Sequence, residues 1–323
     1  MTKNIFVTRK IPDIGIKMLE EKGYSLDINP KNYPLSQKEI IKYLKKKPYD
    51  AVLSLLTDKI DSKVFESAPS VKLYANYATG FDNVDINEAK IRGIAVTNSP
   101  GNLTAEAVAE HTIALMLALA ARIVEADEFV RQKKYKGWEP MNFIGTDLLG
   151  KTLGLVGAGR IGDRVAFYAK GLGFKIIYTD VTRNERIEKD EDAVFCSSLD
   201  ELLKQSDVVS LHVPLLDSTK HLINEEKFKI MKPTSFLINT SRGPVIDEKA
   251  LEVALRNKII SAAAIDVFEF EPKITPGLLK LQNIILTPHI ASASIEARNQ
   301  MAEVTAQNII DFFETGNPKN KVN

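Results

Sequence analysis

The sequence predicts an α/β protein built from two doubly wound parallel-sheet domains. Three observations predict it. Short apolar runs alternate with amphipathic stretches over residues 1–98 and again over residues 151–292. A glycine-rich turn, Gly157-Ala158-Gly159-Arg160-Ile161-Gly162, stands where one apolar run passes into a helical pattern. A long amphipathic stretch follows the last run, from residue 293 to 314. Repeated β-α alternation implies a parallel sheet with helices on both faces.

In the first stretch, strands are predicted at residues 5–8, 25–28, 51–54, 72–75 and 95–97. Helices are predicted near residues 14–21, 37–46, 62–66 and 86–92. Five strands in this arrangement make a flavodoxin-like domain, with its ligand crevice beyond the carboxyl ends of the strands. Leu55 and residues 77–80 fall at that edge. Asn98-Ser99-Pro100-Gly101-Asn102 is a cluster of turn residues and reads as a hinge. One long helix is predicted from about Thr104 to Gln132, apolar all round over residues 113–120, the pattern of a helix buried at a domain or subunit interface. Residues 135–143, with the single tryptophan Trp138, read as an irregular arm.

The glycine-rich turn follows an apolar run at residues 152–156. Its three glycines, Gly157, Gly159 and Gly162, meet three needs: a tight turn, room for a pyrophosphate against bare backbone, and close packing of helix on strand. Free N–H groups at the helix start favour a phosphate group. Asp180 follows Gly162 by 18 residues, after a second apolar run, where a carboxylate accepts hydrogen bonds from an adenosine ribose. The expected cofactor is therefore NAD, with NADP disfavoured because its 2′-phosphate is repelled. Arg183 and Arg186 just beyond either soften that preference or are solvated loop cations.

Further strands are predicted at residues 208–211, 235–238, 261–265 and 284–286, with helices near 199–205, 224–231 and 248–256. Ser198 and Glu201 have the spacing of a capping box. With the fingerprint strands this makes six, the count of a Rossmann dinucleotide-binding sheet. The last helix extends beyond that sheet and is expected to pack back on the first domain. That domain is then discontinuous, residues 1–98 plus 293–323, with the dinucleotide-binding domain at 99–292 and the ligand crevice between them.

Charge is nearly balanced, 43 basic against 42 acidic residues, so a nucleic-acid partner is not expected. Cys196 is the only cysteine, and no histidine or carboxylate pair has metal-ligand spacing, so neither a disulfide framework nor a metal is expected. The opening residues read as a strand, without the apolar core of a signal peptide. The most apolar run, residues 112–121, is shorter than a bilayer span. A soluble, cytoplasmic protein with no membrane partner is expected.

Three strand ends carry polar residues: Asn239-Thr240-Ser241-Arg242-Gly243, Asp266-Val267-Phe268-Glu269-Phe270-Glu271-Pro272 and Thr287-Pro288-His289-Ile290-Ala291-Ser292. Ligands bind at such ends, so Arg242, Glu271 and His289 are expected to converge near a nicotinamide. The set fits hydride transfer to a carbonyl. Arginine holds a planar carboxylate bidentately. Histidine protonates the carbonyl oxygen, and a carboxylate beside it fixes its tautomer and raises its pKa. Singly, Arg242 also reads as a turn cap and Glu271 as a loop acid. His111 reads as a core or interface residue, His221 as surface, and His212 as lining the cofactor crevice through backbone atoms.

Through Thr79-Gly80-Phe81-Asp82-Asn83-Val84-Asp85, the glycine fingerprint, His212-Val213-Pro214 and the three strand ends, the sequence resembles the D-isomer-specific 2-hydroxyacid dehydrogenases. The match covers nearly the whole chain. The resemblance implies that Arg242 anchors the substrate carboxylate, that His289 donates the proton and that Glu271 is its partner. It implies cofactor contacts at Thr104, Arg160, Ile161, His212, Val213 and Pro214. Thr219, Thr240, Ser241, Asp266 and Ser292 are implied on the same ground. Substrate contacts are expected at Leu55, Ala78, Thr79 and Gly80, with backbone N–H groups of the last three holding the carboxylate. Residues 76–80, Gly137-Trp138 and the compact length are most similar to glyoxylate/hydroxypyruvate reductases. The expected activity is then NADH-dependent reduction of glyoxylate, hydroxypyruvate or a similar 2-oxo acid to its D-2-hydroxy acid. D-Lactate, D-3-phosphoglycerate and phosphite dehydrogenases are the alternatives within the family, and a non-catalytic NAD-sensing protein is the alternative outside it. The resemblance also implies a homodimer in which the long helix and the arm pack on the partner. Trp138 then either closes the partner's site or packs within the arm.

Overall fold

In the computed structural model, residues 2–323 are described. The chain divides into two compact units, Met1–Thr104 with Ala293–Asn323, and Ala105–Ser292.

The first unit holds strands β1 (Asn4–Val7), β2 (Ser25–Ile28), β3 (Ala51–Leu55), β4 (Leu73–Tyr77) and β5 (Ala95–Thr97). They pair in the order β2-β1-β3-β4-β5, all parallel. That is the order of a flavodoxin-type sheet, with its switch point between β1 and β3. Strands β3 and β4 are buried throughout, as central parallel strands covered on both faces must be. Alternate residues enter two cores. Ile5, Leu53 and Ala75 face Met301, Ala302 and Ile309 of the C-terminal helix Ile295–Thr315. Phe6, Val52 and Tyr74 face Ile40, Val64 and Phe65 on the other side. The C-terminal helix starts where Ser294 caps the Ala297 N–H and stops at Gly316, whose φ of 75° suits glycine. It packs on the helix Asp13–Glu21 so closely that a Cβ on Gly15 would lie 2.7 Å from the Ala302 carbonyl oxygen.

The second unit holds β6 (Thr152–Val156), β7 (Lys175–Thr179), β8 (Val194–Phe195), β9 (Val208–Leu211), β10 (Phe236–Asn239), β11 (Ala262–Ile265) and β12 (Ile284–Leu286). They form a parallel sheet in the order β12-β11-β10-β9-β6-β7-β8. The chain runs outward from β6 on one side and returns to β9 on the other, which puts the switch point at β6 and β9, as in Rossmann sheets.

Two expectations need correction. The sheet has seven strands rather than six, because Ile177 and Tyr178 pair with the two-residue strand β8. The long helix is two helices, Asn102–Ala120 and Ile123–Arg131, broken at Arg122, which sits at φ 55°. Glu125 receives the Arg122 side chain there, so a residue that usually extends a helix interrupts this one. Length alone also does not separate the first of these helices from a membrane span. Its mean hydropathy is 1.4, but 56% of that window is buried inside the protein, the condition of a core helix. Ala109, Leu115, Met116 and Leu119 pack there against Leu153, Leu155 and Ile238 of the sheet.

Candidate active site

At the switch point the three fingerprint glycines are held by three different constraints. Gly157 has φ 96°, and a Cβ there would lie 2.8 Å from the His212 carbonyl. A Cβ on Gly162 would lie 2.2 Å from the Gly157 oxygen, so the helix Arg160–Gly171 can start this close to the turn only without a side chain. A Cβ on Gly159 would meet nothing within 4 Å. Packing leaves Gly159 free, and the open space above its backbone fits a diphosphate resting on the helix start. Arg160 is exposed in the first turn, while Ile161 packs into the core beside it.

Asp180 stands one residue past β7. Its Oδ2 accepts the Ala158 N–H at 2.7 Å and its Oδ1 the Val181 N–H at 2.6 Å. Asn184 Nδ2 donates to the Ala158 oxygen at 2.7 Å, closing the corner. The carboxylate keeps acceptor capacity for ribose hydroxyls.

Beyond β9, the His212 Nε2 meets Ser210 Oγ at 2.9 Å, while its Nδ1 is buried without a partner. Burial pushes this imidazole down to about 3. Val213 and Pro214 follow, and Thr219 ties the loop by donating to the Pro214 oxygen at 2.6 Å. Thr79 Oγ1 and Thr104 Oγ1 are likewise buried without partners. Unpartnered buried donors and acceptors are rare; the Tyr74 hydroxyl and Thr97 Oγ1 share the condition, so it leaves Thr79, Thr104 and His212 with bonding capacity to spare without singling them out.

The loop after β10 is shaped by Asn239. Its Nδ2 donates to the Arg242 oxygen at 2.9 Å, and its Oδ1 accepts the Ser241 N–H at 3.0 Å and hydroxyl at 2.8 Å. Arg242 Nη1 donates to the Ser241 oxygen at 2.8 Å. Thr240 is buried against Thr112, Oγ1 to Oγ1 2.9 Å.

Asp266, one residue past β11, is fully buried. Its Oδ1 accepts Thr287 Oγ1 at 2.6 Å and the Ile290 N–H at 2.8 Å, and its Oδ2 accepts the Ala291 N–H at 2.8 Å. Its carbonyl accepts the His289 N–H at 2.8 Å. These bonds of the Asp266 carboxylate fold the turn that carries His289, which sits at φ 55°. On that turn His289 Nδ1 lies 3.0 Å from Glu271 Oε2, and Glu271 Oε1 accepts the Phe268 N–H at 3.0 Å. Burial alone would raise the Glu271 carboxyl. The hydrogen bond and charge of His289, the Phe268 N–H and the charge of Arg242 outweigh it and hold the carboxyl below its usual range. Glu271 is thus an anion with the imidazole on one side and the guanidinium close enough to stabilise its charge.

In the first unit, Leu55 and Ala78–Gly80 lie at the carboxyl edge of β3 and β4. The Ala78 N–H is bonded to the Asn76 oxygen at 2.8 Å. The N–H groups of Thr79 and Gly80 have no acceptor among the described residues. Ser292 is half-buried.

His111, read from the sequence as a core or interface residue, and Thr112, not singled out there, both reach the site's turns. His111 Nε2 lies 3.3 Å from Thr287 Oγ1 and 3.7 Å from Asp266 Oδ1, so adjacent residues of one helix brace the turns carrying His289 and Arg242. The signal was faint: His111 and Thr112 follow Glu110 just before the helix becomes wholly apolar. Among the described residues no group of three or more His, Cys, Asp or Glu side chains is arranged to hold a metal ion.

Residues 113–291 match the family described as "D-isomer specific 2-hydroxyacid dehydrogenase, NAD binding domain". A glyoxylate reductase of Korarchaeum cryptofilum is 50% identical over 326 residues, covering 100% of this chain and 96% of the relative. Two solved structures also align along nearly the whole chain. The D-lactate dehydrogenase of Aquifex aeolicus with NAD and lactic acid has TM-score 0.86 and 33% identity, covering 99% of each chain. The NADPH-dependent glyoxylate/hydroxypyruvate reductase of Sinorhizobium meliloti with NADP and malonate has TM-score 0.87 and 30% identity, covering 100% of this chain and 97% of that one.

Proposed function

Because the chain belongs to the D-isomer specific 2-hydroxyacid dehydrogenases, we propose that it is an NADH-dependent reductase whose preferred substrate is glyoxylate or hydroxypyruvate. Dehydrogenase chemistry on a small 2-oxo acid with NAD comes with the family. The choice of substrate within it and the roles of individual residues are the proposal.

The glycine turn and Asp180 would hold NADH, which when bound would supply the hydride that C2 of the 2-oxo acid takes up. Arg242 holds the substrate carboxylate in its guanidinium fork, which aligns the carbonyl. The N–H groups of Thr79 and Gly80 join it, and Leu55 and Ala78 provide apolar lining. His289 donates a proton to the carbonyl oxygen as C2 receives the hydride, so the product leaves as a neutral hydroxyl. Glu271, anionic, accepts from His289 Nδ1 and leaves Nε2 to carry the transferred proton. Asp266 acts through the turn it folds. Thr104, Thr240, Ser241 and Ser292 complete the cofactor contacts, with Asp180 on the adenosine ribose.

The observation that carries the reading is the 3.0 Å His289–Glu271 contact, between residues that follow strands of the same parallel sheet whose fingerprint leaves Gly159 open. A homodimer belongs to the same proposal. Val124, Val130, Tyr135, Trp138 and Met141 are exposed apolar side chains close in sequence, Trp138 at 83%. Such a concentration is uncommon on the surface of a monomer. A cytoplasmic setting is supported by the one buried, unpaired cysteine, Cys196, which needs no oxidising compartment. The test is the loss of NADH absorbance with a panel of 2-oxo acids. Fastest turnover on glyoxylate or hydroxypyruvate supports the proposal; fastest turnover on pyruvate or a longer acid overturns the substrate choice, and NADH binding without turnover makes the protein a sensor.

A further inference from the structure

Arg183 and Arg186 lie three and six residues beyond Asp180. In Rossmann domains an acid at the end of the second strand favours the bare ribose of NAD, and a nearby arginine receives the 2′-phosphate of NADP. This chain has both. The arginines, however, are already engaged. Arg183 sets its fork on Glu188, Nε to Oε1 3.0 Å and Nη2 to Oε2 2.9 Å. Its guanidinium also lies over the Phe195 ring, 5.3 Å from the centroid. The Tyr178 hydroxyl donates to the same Glu188 carboxylate and accepts the Asn184 N–H at 2.9 Å. Arg186 is forked onto Asp163. The hydrogen bond from Arg183, then that from Tyr178, holds the Glu188 carboxyl below its usual range, so it is ionised at neutral pH.

We propose that Arg183 is a masked reader of a 2′-phosphate, and that Glu188, with Phe195 beneath the guanidinium, sets the preference for NADH together with Asp180. This rests on the assignment of the glycine turn and Asp180 to an adenosine dinucleotide. An exposed fork is weak by itself, and a dianionic phosphate offers the guanidinium a stronger partner. The fork survives because Asp180 keeps such a phosphate away while Glu188, Tyr178 and the ring hold the arginine in place. Neutralising Glu188 alone frees Arg183 beside a still-charged Asp180, which attracts the cation and repels the phosphate. Neutralising Asp180 alone leaves Arg183 masked. The two carboxylates therefore act cooperatively.

The experiment is a double-mutant cycle on NADPH affinity, with NADH affinity measured in parallel by nucleotide fluorescence. Variants are Asp180→Asn, Glu188→Gln, the pair, and the pair with Arg183→Gln. The pair is expected to favour NADPH over NADH about tenfold beyond the product of the single changes, a typical coupling for neighbouring charges. Adding Arg183→Gln should abolish that excess. Glu188→Ala in place of Glu188→Gln should give the same coupling. A pair equal to the product of its singles, or an excess that survives Arg183→Gln, overturns the proposal. Failure of the unsubstituted protein to bind either nucleotide would instead overturn the dinucleotide assignment itself.

Discussion

Glu271 Oε2 meets His289 Nδ1 at 3.0 Å, and the Glu271 carboxyl is held below its ordinary range. A carboxyl with a lowered folded value contributes stability above its unfolded value, and loses that contribution as pH falls through the folded one. The contact is thus present down to acidities where a free glutamate would already be protonated. In Glu271→Gln the charge is gone at every pH. A hydrogen bond to a charged group is worth about 1.5–3 kcal/mol, so kcat/KM for reduction should fall roughly tenfold to a hundredfold. The acid-side drop in thermal midpoint due to this carboxyl should vanish with it. Equal pH profiles for the two proteins would contradict the pairing.

The fingerprint glycines should separate on substitution. Gly162→Ala places a Cβ 2.2 Å from the Gly157 oxygen, in backbone that cannot move aside. A loss of about 1–3 kcal/mol is expected, as for other overpacked sites. Gly159→Ala meets no protein atom within 4 Å. It should keep its melting temperature and lose NADH affinity. Thermal melts alongside nucleotide titration read both; a destabilised Gly159→Ala would show that its space is structural.

Asp266 should matter more than its distance from chemistry implies. Its carboxylate accepts from Thr287, Ile290 and Ala291. In Asp266→Asn at least one buried N–H or O–H loses its acceptor, at about 1–3 kcal/mol. Turnover should fall with stability because the His289 turn loosens. His111→Phe, which keeps the ring and drops the polar edge, should lower kcat while NADH affinity holds. An unaltered kcat would remove His111 from the bracing network.

His212 should make the protein acid-sensitive. Its folded value is about 3 against an ordinary 6.5, because burial disfavours the charged ring. Between those values the unfolded chain binds a proton that the native chain does not. Stability therefore falls as pH drops from about 6.5 toward about 3. His212→Asn should flatten that slope, measured as unfolding midpoints at neutral and acidic pH; an unchanged slope would clear His212 as its source.

Most of the two sheets was legible because β-α alternation and the glycine spacing each follow from a geometric need. The strand β8 was not, since two residues flanked by turns leave no period to detect. The break at Arg122 was hidden for a related reason: no glycine or proline marks it, and its pairing with Glu125 is not distinctive in sequence. At the site, the meeting of Glu271 with His289 was readable from their places at strand ends. The N–H of Ala78 was not, because its bond to Asn76 is a matter of local backbone angle that residue types do not record. Nor was the pairing of Arg183 with Glu188, where many surface carboxylates compete for one cation in sequence.

The Ala158 N–H joined to the Asp180 carboxylate has a consequence for ligands smaller than a dinucleotide. Turn and acid are welded before anything arrives, so a molecule spanning both gains a chelate advantage: once one end has docked, the other is already within reach. Adenosine alone or pyrophosphate alone forgoes that advantage, and ADP is the smallest fragment that recovers it.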